Sequence, residues 1–237
     1  MEHLIQLKEK SVSINKETNL LDTFISDLEI NKINFVFLGK EKYLPIWNLQ
    51  KELHTLRKNN EIPDVVLLLE HQNVYTFGKN ADKDFLLDSH LDAEVYQTDR
   101  GGQVTFHGPG QLVGYPILNL HNYKKSITWF MNSLQNVIIN TLNDFNIESN
   151  IRDGYPGVWV EDEKICAMGV RIAQWVTMHG FALNVDPDMK YFDGMIPCGI
   201  RECGVTSIKD QINSNIKIDT VLNVLIKHFN KVFTFNK

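Results

Sequence analysis

The chain has few cysteines, no long apolar run and no excess of basic charge, and each absence removes a class of function. Its three cysteines, Cys166, Cys198 and Cys203, are an odd number without a repeated spacing. No disulfide framework is expected, and a reducing, cytoplasmic setting fits them better. They also lack the paired CxxC spacing of a structural zinc site, so no metal is expected. No stretch approaches the ~20 consecutive apolar residues that cross a bilayer, and no membrane partner is expected. The formal net charge is −5 over 237 residues. A broad nucleic-acid-binding face, which needs clustered Lys and Arg to neutralise phosphates, is therefore not expected either.

What is present suits one medium-sized α/β or α+β domain with a real core, since 43% of the residues are apolar. Residues 1–30 stand apart, rich in Lys, Glu, Asn, Ser and Asp. They lack a secretory apolar segment, and their acidic residues do not suit a transit peptide. They read as an extension of unknown role, either a mobile tail or a helix docked on the domain, with the domain proper over 31–237.

Within that domain NFVFLG (34–39) reads as a strand, and residues 43–58 as a helix whose Leu44, Trp47, Leu49, Leu53 and Leu56 form a stripe, with Pro45 in the first turn. DVVLLLEH and NVYTFG read as a hairpin or two sheet neighbours carrying Glu70, His71 and Tyr75 to a common edge. His71 there is a ligand contact or simply a polar strand end. LVGYPILNL is strand-like. Ser126 is placed to cap a long helix with Ile127, Phe130, Met131, Leu134, Val137, Ile138, Leu142 and Phe145 on its inner face. GVWV, KICAMGVRIA and WVTMHGFALNV predict an antiparallel meander, with turns at Asp162-Glu163 and Ala173-Gln174. Asp219 is expected to cap a last helix.

Residues 99–116, DRGGQVTFHGPGQLVGYP, hold five of the fourteen glycines, with Arg100 and His107 among them. Glycine permits positive φ and close approach to a ligand, while proline stiffens turns. The segment predicts strand fragments joined by a tight, ligand-facing loop, or a hairpin that only turns the chain.

Two further residues carry chemistry. Lys164 opens a strand of mostly apolar or small residues. Near a sheet end, partial desolvation lowers a lysine's pKa from about 10.4 and makes a neutral amine available as a base; the alternative is an exposed lysine after an acidic turn. Cys198 sits between Pro197 and Gly199, which hold a thiol in a defined loop where a base can turn it into a nucleophile. Cys166 reads as packing, and Cys203 as a second loop cysteine.

Together RGGQVTFHGPGQ (100–111), KICAMGVRI (164–172), HGFALNV (179–185) and PCG (197–199) resemble the octanoyltransferases of lipoate biosynthesis, from about Asn34 to the end of the chain. The resemblance implies a biotin/lipoyl ligase-like α+β catalytic domain, with a mixed or antiparallel sheet flanked by helices. It implies octanoyl transfer from acyl carrier protein to a lysine of a lipoyl domain, without ATP or any other cofactor. Cys198 would carry the acyl group as a thioester, and Lys164 would be the base in both halves. Acceptors would be lipoyl domains of 2-oxoacid dehydrogenase complexes and the glycine cleavage H protein.

By the same resemblance the substrate-binding residues would be Arg100, Gly101, Gly102, Gln103, Val104, Thr105, Phe106 and His107 in the glycine-rich loop, with Ala167, Met168, Gly169, Gly180, Phe181 and Ala182 on the strands. Phe106 stands where the family often has tyrosine. His107 would orient substrate or Lys164, or only stabilise a turn. Arg100, Lys124, Lys125, Arg152 and Arg171 are candidates for a basic patch facing acidic partners. The rival readings are an ATP-dependent lipoate or biotin ligase, an octanoyl relay enzyme drawing on another lipoylated carrier, and a silent binding module. The ligases need no cysteine nucleophile.

Overall fold

The computed structural model of the chain describes residues 4–6, 25, 27–86, 92–195 and 203–235. Among these, nine strands form one mixed sheet: β1 (Leu4–Gln6), β2 (Ile33–Glu41), β3 (Asp64–His71), β7 (Gln111–Ile117), β11 (Val176–Asn184), β10 (Glu163–Ala173), β9 (Tyr155–Val160) and β8 (Asn150–Arg152) in spatial order, with β12 (Gly204–Val205) alongside β10. The first three run parallel, and from β3 to β8 each neighbour is antiparallel. Leu4–Gln6, inside the segment read as tail or helix, is an edge strand parallel to β2.

Alternation along buried strands sends successive side chains to opposite faces. Val66, Leu68 and Leu112 meet α2 (Ile127–Asn143) and α5 (Ile218–Val232) on one face. Val65, Leu67, Leu69, Val113 and Ile117 meet α1 (Tyr43–Lys58) on the other, through Ile46 and Leu53. Ser126 caps α2 as expected, its hydroxyl accepting from Trp129 N at 3.2 Å. Ile127, expected inside, is 56% exposed, because it lies before the buried stripe that starts at Phe130. The last helix starts at Ile218 after Lys217, and Asp219 falls within its first turn, where a carboxylate suits the positive end of the helix.

A small second sheet consists of β5 (Glu94–Gln97), β4 (Val74–Phe77) and β6 (Thr105–His107). β3 and β4, expected to be a hairpin or sheet neighbours, are neither. Both edges of β3 are already occupied, by β2 and β7, so the chain leaves the main sheet after His71 and β4 pairs elsewhere. The meander β9-β10-β11 does form, with turns at Glu161-Asp162 and Gln174-Trp175, one residue from the expected places. Both residues of the second turn have positive φ, the geometry that follows strand twist in a two-residue hairpin. Two short helices, α3 (Lys190–Asp193) and α4 (Ile208–Ile212), follow the meander. No helix among the described residues is long and apolar enough to cross a membrane.

Candidate active site

The small sheet and the glycine-rich loop lie over the part of the main sheet that α1 leaves uncovered, and between them is a cavity of about 270 Å³. Its floor is made of small residues in cross-strand pairs, Ala167 with Ala182 and Gly169 with Gly180. These two pairs are about 7 Å apart along the strands at ~3.3 Å per residue. Met168, Phe181 and Tyr115 complete that side, while Arg100, Gly102, Gln103, Val104, Thr105 and His107 form the other. Tyr43 comes from the first turn of α1, Gly154 from the β8–β9 turn, and Tyr155 and Pro156 from the start of β9.

Lys164 reaches this cavity because β10 bulges. The pairs with β9 step from Lys164–Trp159 to Cys166–Val158, leaving Ile165 as an extra residue. Ile165 and Cys166 therefore both enter the apolar core, and Lys164 and Ala167, three positions apart, both border the cavity. Lys164 is only 5% exposed; its Nζ donates to Pro156 O at 3.0 Å and lies 4.6 Å from the Trp159 ring centre. Gly157 opposite has φ +137, and a Cβ there would come within 3.2 Å of Lys164 Cε. Lys164 is thus a buried lysine, not one on a wet turn. Cys166 is packing, as expected, and burial pushes its thiol pKa up.

The β6 residues alternate. Thr105 and His107 border the cavity, whereas Phe106 points away and stacks on Tyr191 at 4.8 Å, within a cluster that includes Tyr75 and Phe192. Gly101 does not line the cavity either. Its N–H donates to Val170 O at 3.0 Å and its carbonyl accepts from Arg100 Nη1, so it fastens the loop to β10. Gly169 permits this approach, because a Cβ there would lie 2.8 Å from Gly101 O. Arg100 is buried, with Nη2 donating to Thr76 Oγ1 at 2.9 Å, and so contributes nothing to a surface patch. Arg152 pairs with Asp162 and Arg171 with Asp99; Lys124 and Lys125 are exposed. Cys198 lies outside the described residues.

Buried Tyr43, His107, Tyr115 and His179 border the same cavity, and His71 bonds to Tyr115. His71 Nδ1–H can only donate to the Glu41 carbonyl, at 3.0 Å, so Nε2 accepts from the Tyr115 hydroxyl at 2.8 Å. Burial lowers the His71 pKa to about 4, so the ring is neutral. Its role is that of a satisfied strand end. His107 is 6% exposed, and its Nδ1 meets no partner among the described residues. Burial, helped by nearby His71 and Arg100, holds its pKa well below the usual value.

Asp99 carries no signal in the sequence beyond opening the glycine-rich segment, and His179 none beyond the HGFALNV motif. His179 Nε2 donates to Asp99 Oδ1 at 2.8 Å, and Arg171 Nη1 lies 3.0 Å from Asp99 Oδ2. The His179 hydrogen bond takes the Asp99 pKa down to about 2, while burial lowers that of His179. Their 80-residue separation leaves no periodicity to read.

The sequence model for the lipoyl protein ligase A/B catalytic domain matches residues 42–230. An octanoyltransferase of Gloeobacter violaceus is 43% identical over 196 residues, 82% of this chain and 87% of the relative. One from Cytophaga hutchinsonii is 41% identical, covering 83% and 90%. The chain belongs to the octanoyltransferase family. Its fold is that of the lipoyl ligases. A putative lipoate protein ligase from T. acidophilum superposes with a TM-score of 0.64 at 14% identity, covering 84% of this chain and 83% of that one. A lipoate-protein ligase A bound with ATP gives 0.63 at 15% identity, covering 88% of each. At such identities the likeness is one of fold alone.

Proposed function

We propose that this octanoyltransferase family member moves an octanoyl group from the thioester of acyl carrier protein to a lysine of a lipoyl domain, through a thioester on Cys198. The carrying observation is a buried lysine amine beside a channel floored by Gly and Ala, in a chain whose relatives are octanoyltransferases. Such a channel admits a straight, unbranched chain and excludes water from the reacting centre.

In the first half Lys164 takes the Cys198 proton, and the thiolate attacks the thioester carbonyl. The tetrahedral oxyanion collapses, the carrier thiolate leaves, and Lys164 returns the proton to it. In the second half Lys164 takes a proton from the attacking acceptor amine as an amide forms. Cys198 leaves as thiolate and is then reprotonated. The acceptors are the lipoyl domains of 2-oxoacid dehydrogenase complexes and the glycine cleavage H protein, and no nucleotide enters the cycle.

The test is transfer to an isolated lipoyl domain. Octanoyl-acyl carrier protein alone is expected to support it. Transfer only from octanoate plus ATP would mean that the protein is a ligase.

A further inference from the structure

We infer that Asp99 is a positioning residue, which through His179 and Arg171 holds the glycine-rich loop against the sheet and so sets the width of the acyl channel. The inference rests on the transferase reading only for its kinetic arm.

The carboxylate precedes the loop directly, at the start of Asp99-Arg100-Gly101-Gly102. One oxygen accepts from His179 of β11 and the other pairs with Arg171 of β10, so both floor strands hold the same side chain. Two backbone bonds continue the attachment. Gly101 N donates to Val170 O at 3.0 Å, and Lys79 N donates to Arg100 O at 2.9 Å. Beside the cavity, Gly169 lies close under Gly101, so loop and β10 meet there. The cavity wall formed by Gly102, Gln103, Val104 and Thr105 continues from this anchored point, and the Asp99 contacts bear on its distance from the floor.

His179 is built to serve this contact. Its φ is +60, in the left-handed region that strains a non-glycine residue. Its own N–H donates to Gln50 Oε1 of α1 at 3.0 Å instead of pairing along the strand. The buried ring is thereby turned toward Asp99, and the carboxylate, which can only accept, fixes the proton on Nε2. A residue that merely filled space would not need this backbone or this tautomer. Asp99 does not itself line the channel, so its effect reaches substrate through the loop.

The test compares wild type with Asp99→Asn and Asp99→Glu by amide hydrogen exchange and by steady-state kinetics with octanoyl-acyl carrier protein. Asp99→Asn is expected to speed exchange at Gly101 and Lys79 at least ten-fold, without changing exchange in β3 and β7. It is expected to raise KM for the donor about ten-fold while kcat stays within three-fold, with partial recovery in Asp99→Glu. Wild-type exchange at Gly101 and Lys79 in Asp99→Asn overturns the inference, as does a fall in kcat at unchanged KM. If Asp99→Asn is globally unstable, Arg171→Gln, which removes one of the two contacts, is expected to give a smaller shift of the same kind; no shift would again overturn it. Faster loop exchange in a protein that transfers no octanoyl group would leave the positioning role standing and refute the transferase reading.

Discussion

The same strands of the main sheet face two different environments. Toward α2 and α5 the contact is mainly between apolar side chains, Leu68, Leu112, Leu183, Leu225 and Phe229 among them. On the other face α1 covers only part of the sheet, and the remainder meets Lys164, His107, His179 and Arg100, all buried and polar. The first face holds the larger of the two apolar cores. The other gives up apolar burial, over the part α1 leaves uncovered, to hold buried polar groups. Substitutions on the two faces should therefore separate stability from turnover.

The largest separation is expected at Lys164. Lys164→Ala should lower kcat by roughly 10²–10⁴-fold, the usual contribution of a general base, while the circular dichroism spectrum stays that of wild type. On the opposite face Leu225→Ala should cost about 2–5 kcal/mol in urea unfolding, as a buried leucine does, with kcat per folded molecule unchanged. Equal losses of activity from both would remove the distinction between the faces.

Gly169→Val tests the channel itself. Its Cβ would lie 2.8 Å from Gly101 O and push the loop away from β10, and KM for the octanoyl donor should rise at least ten-fold with the far core intact by tryptophan fluorescence. The donor can also be changed. A hexanoyl thioester leaves two methylenes unburied, at about 0.8 kcal/mol each, so kcat/KM should fall roughly 15-fold.

The smallest and most graded effect concerns pH. A histidine whose folded pKa is depressed leaves the unfolded chain binding more protons below its ordinary pKa of about 6.5. Stability is then full above about 6.5 and falls as pH drops toward the folded value, about 4 for His71. His54, His107 and His179 are shifted the same way. Urea midpoints should decline from pH 6.5 to 4, and a flat profile would mean these rings are not held neutral.

What the sequence made legible follows the same division. The 43–58 helix and the DVVLLLEH strand have their expected ends, because amphipathic period and apolar runs are local signals. The RGGQVTFHGPGQ loop stands out by its glycines, whereas Lys164 and the small residues of the floor are picked out by the family resemblance. The rest is non-local. Nothing in NVYTF says that β3 has no free edge, nothing in KICAM reveals the bulge at Ile165, and nothing joins Asp99 to His179 before the chain is folded. Period-2 alternation would have put Phe106 on the far side from Thr105 and His107, had β6 been recognised as a strand through His107.

The covalent step is the centre of the account, and intact mass after brief mixing with octanoyl-acyl carrier protein, without ATP, tests it most directly. The protein should gain one octanoyl group, mapped to Cys198, released by hydroxylamine and discharged by a lipoyl domain. The gain should be absent in Cys198→Ser and slowed in Lys164→Ala. No adduct in wild type, while the lipoyl domain still becomes octanoylated, would contradict it.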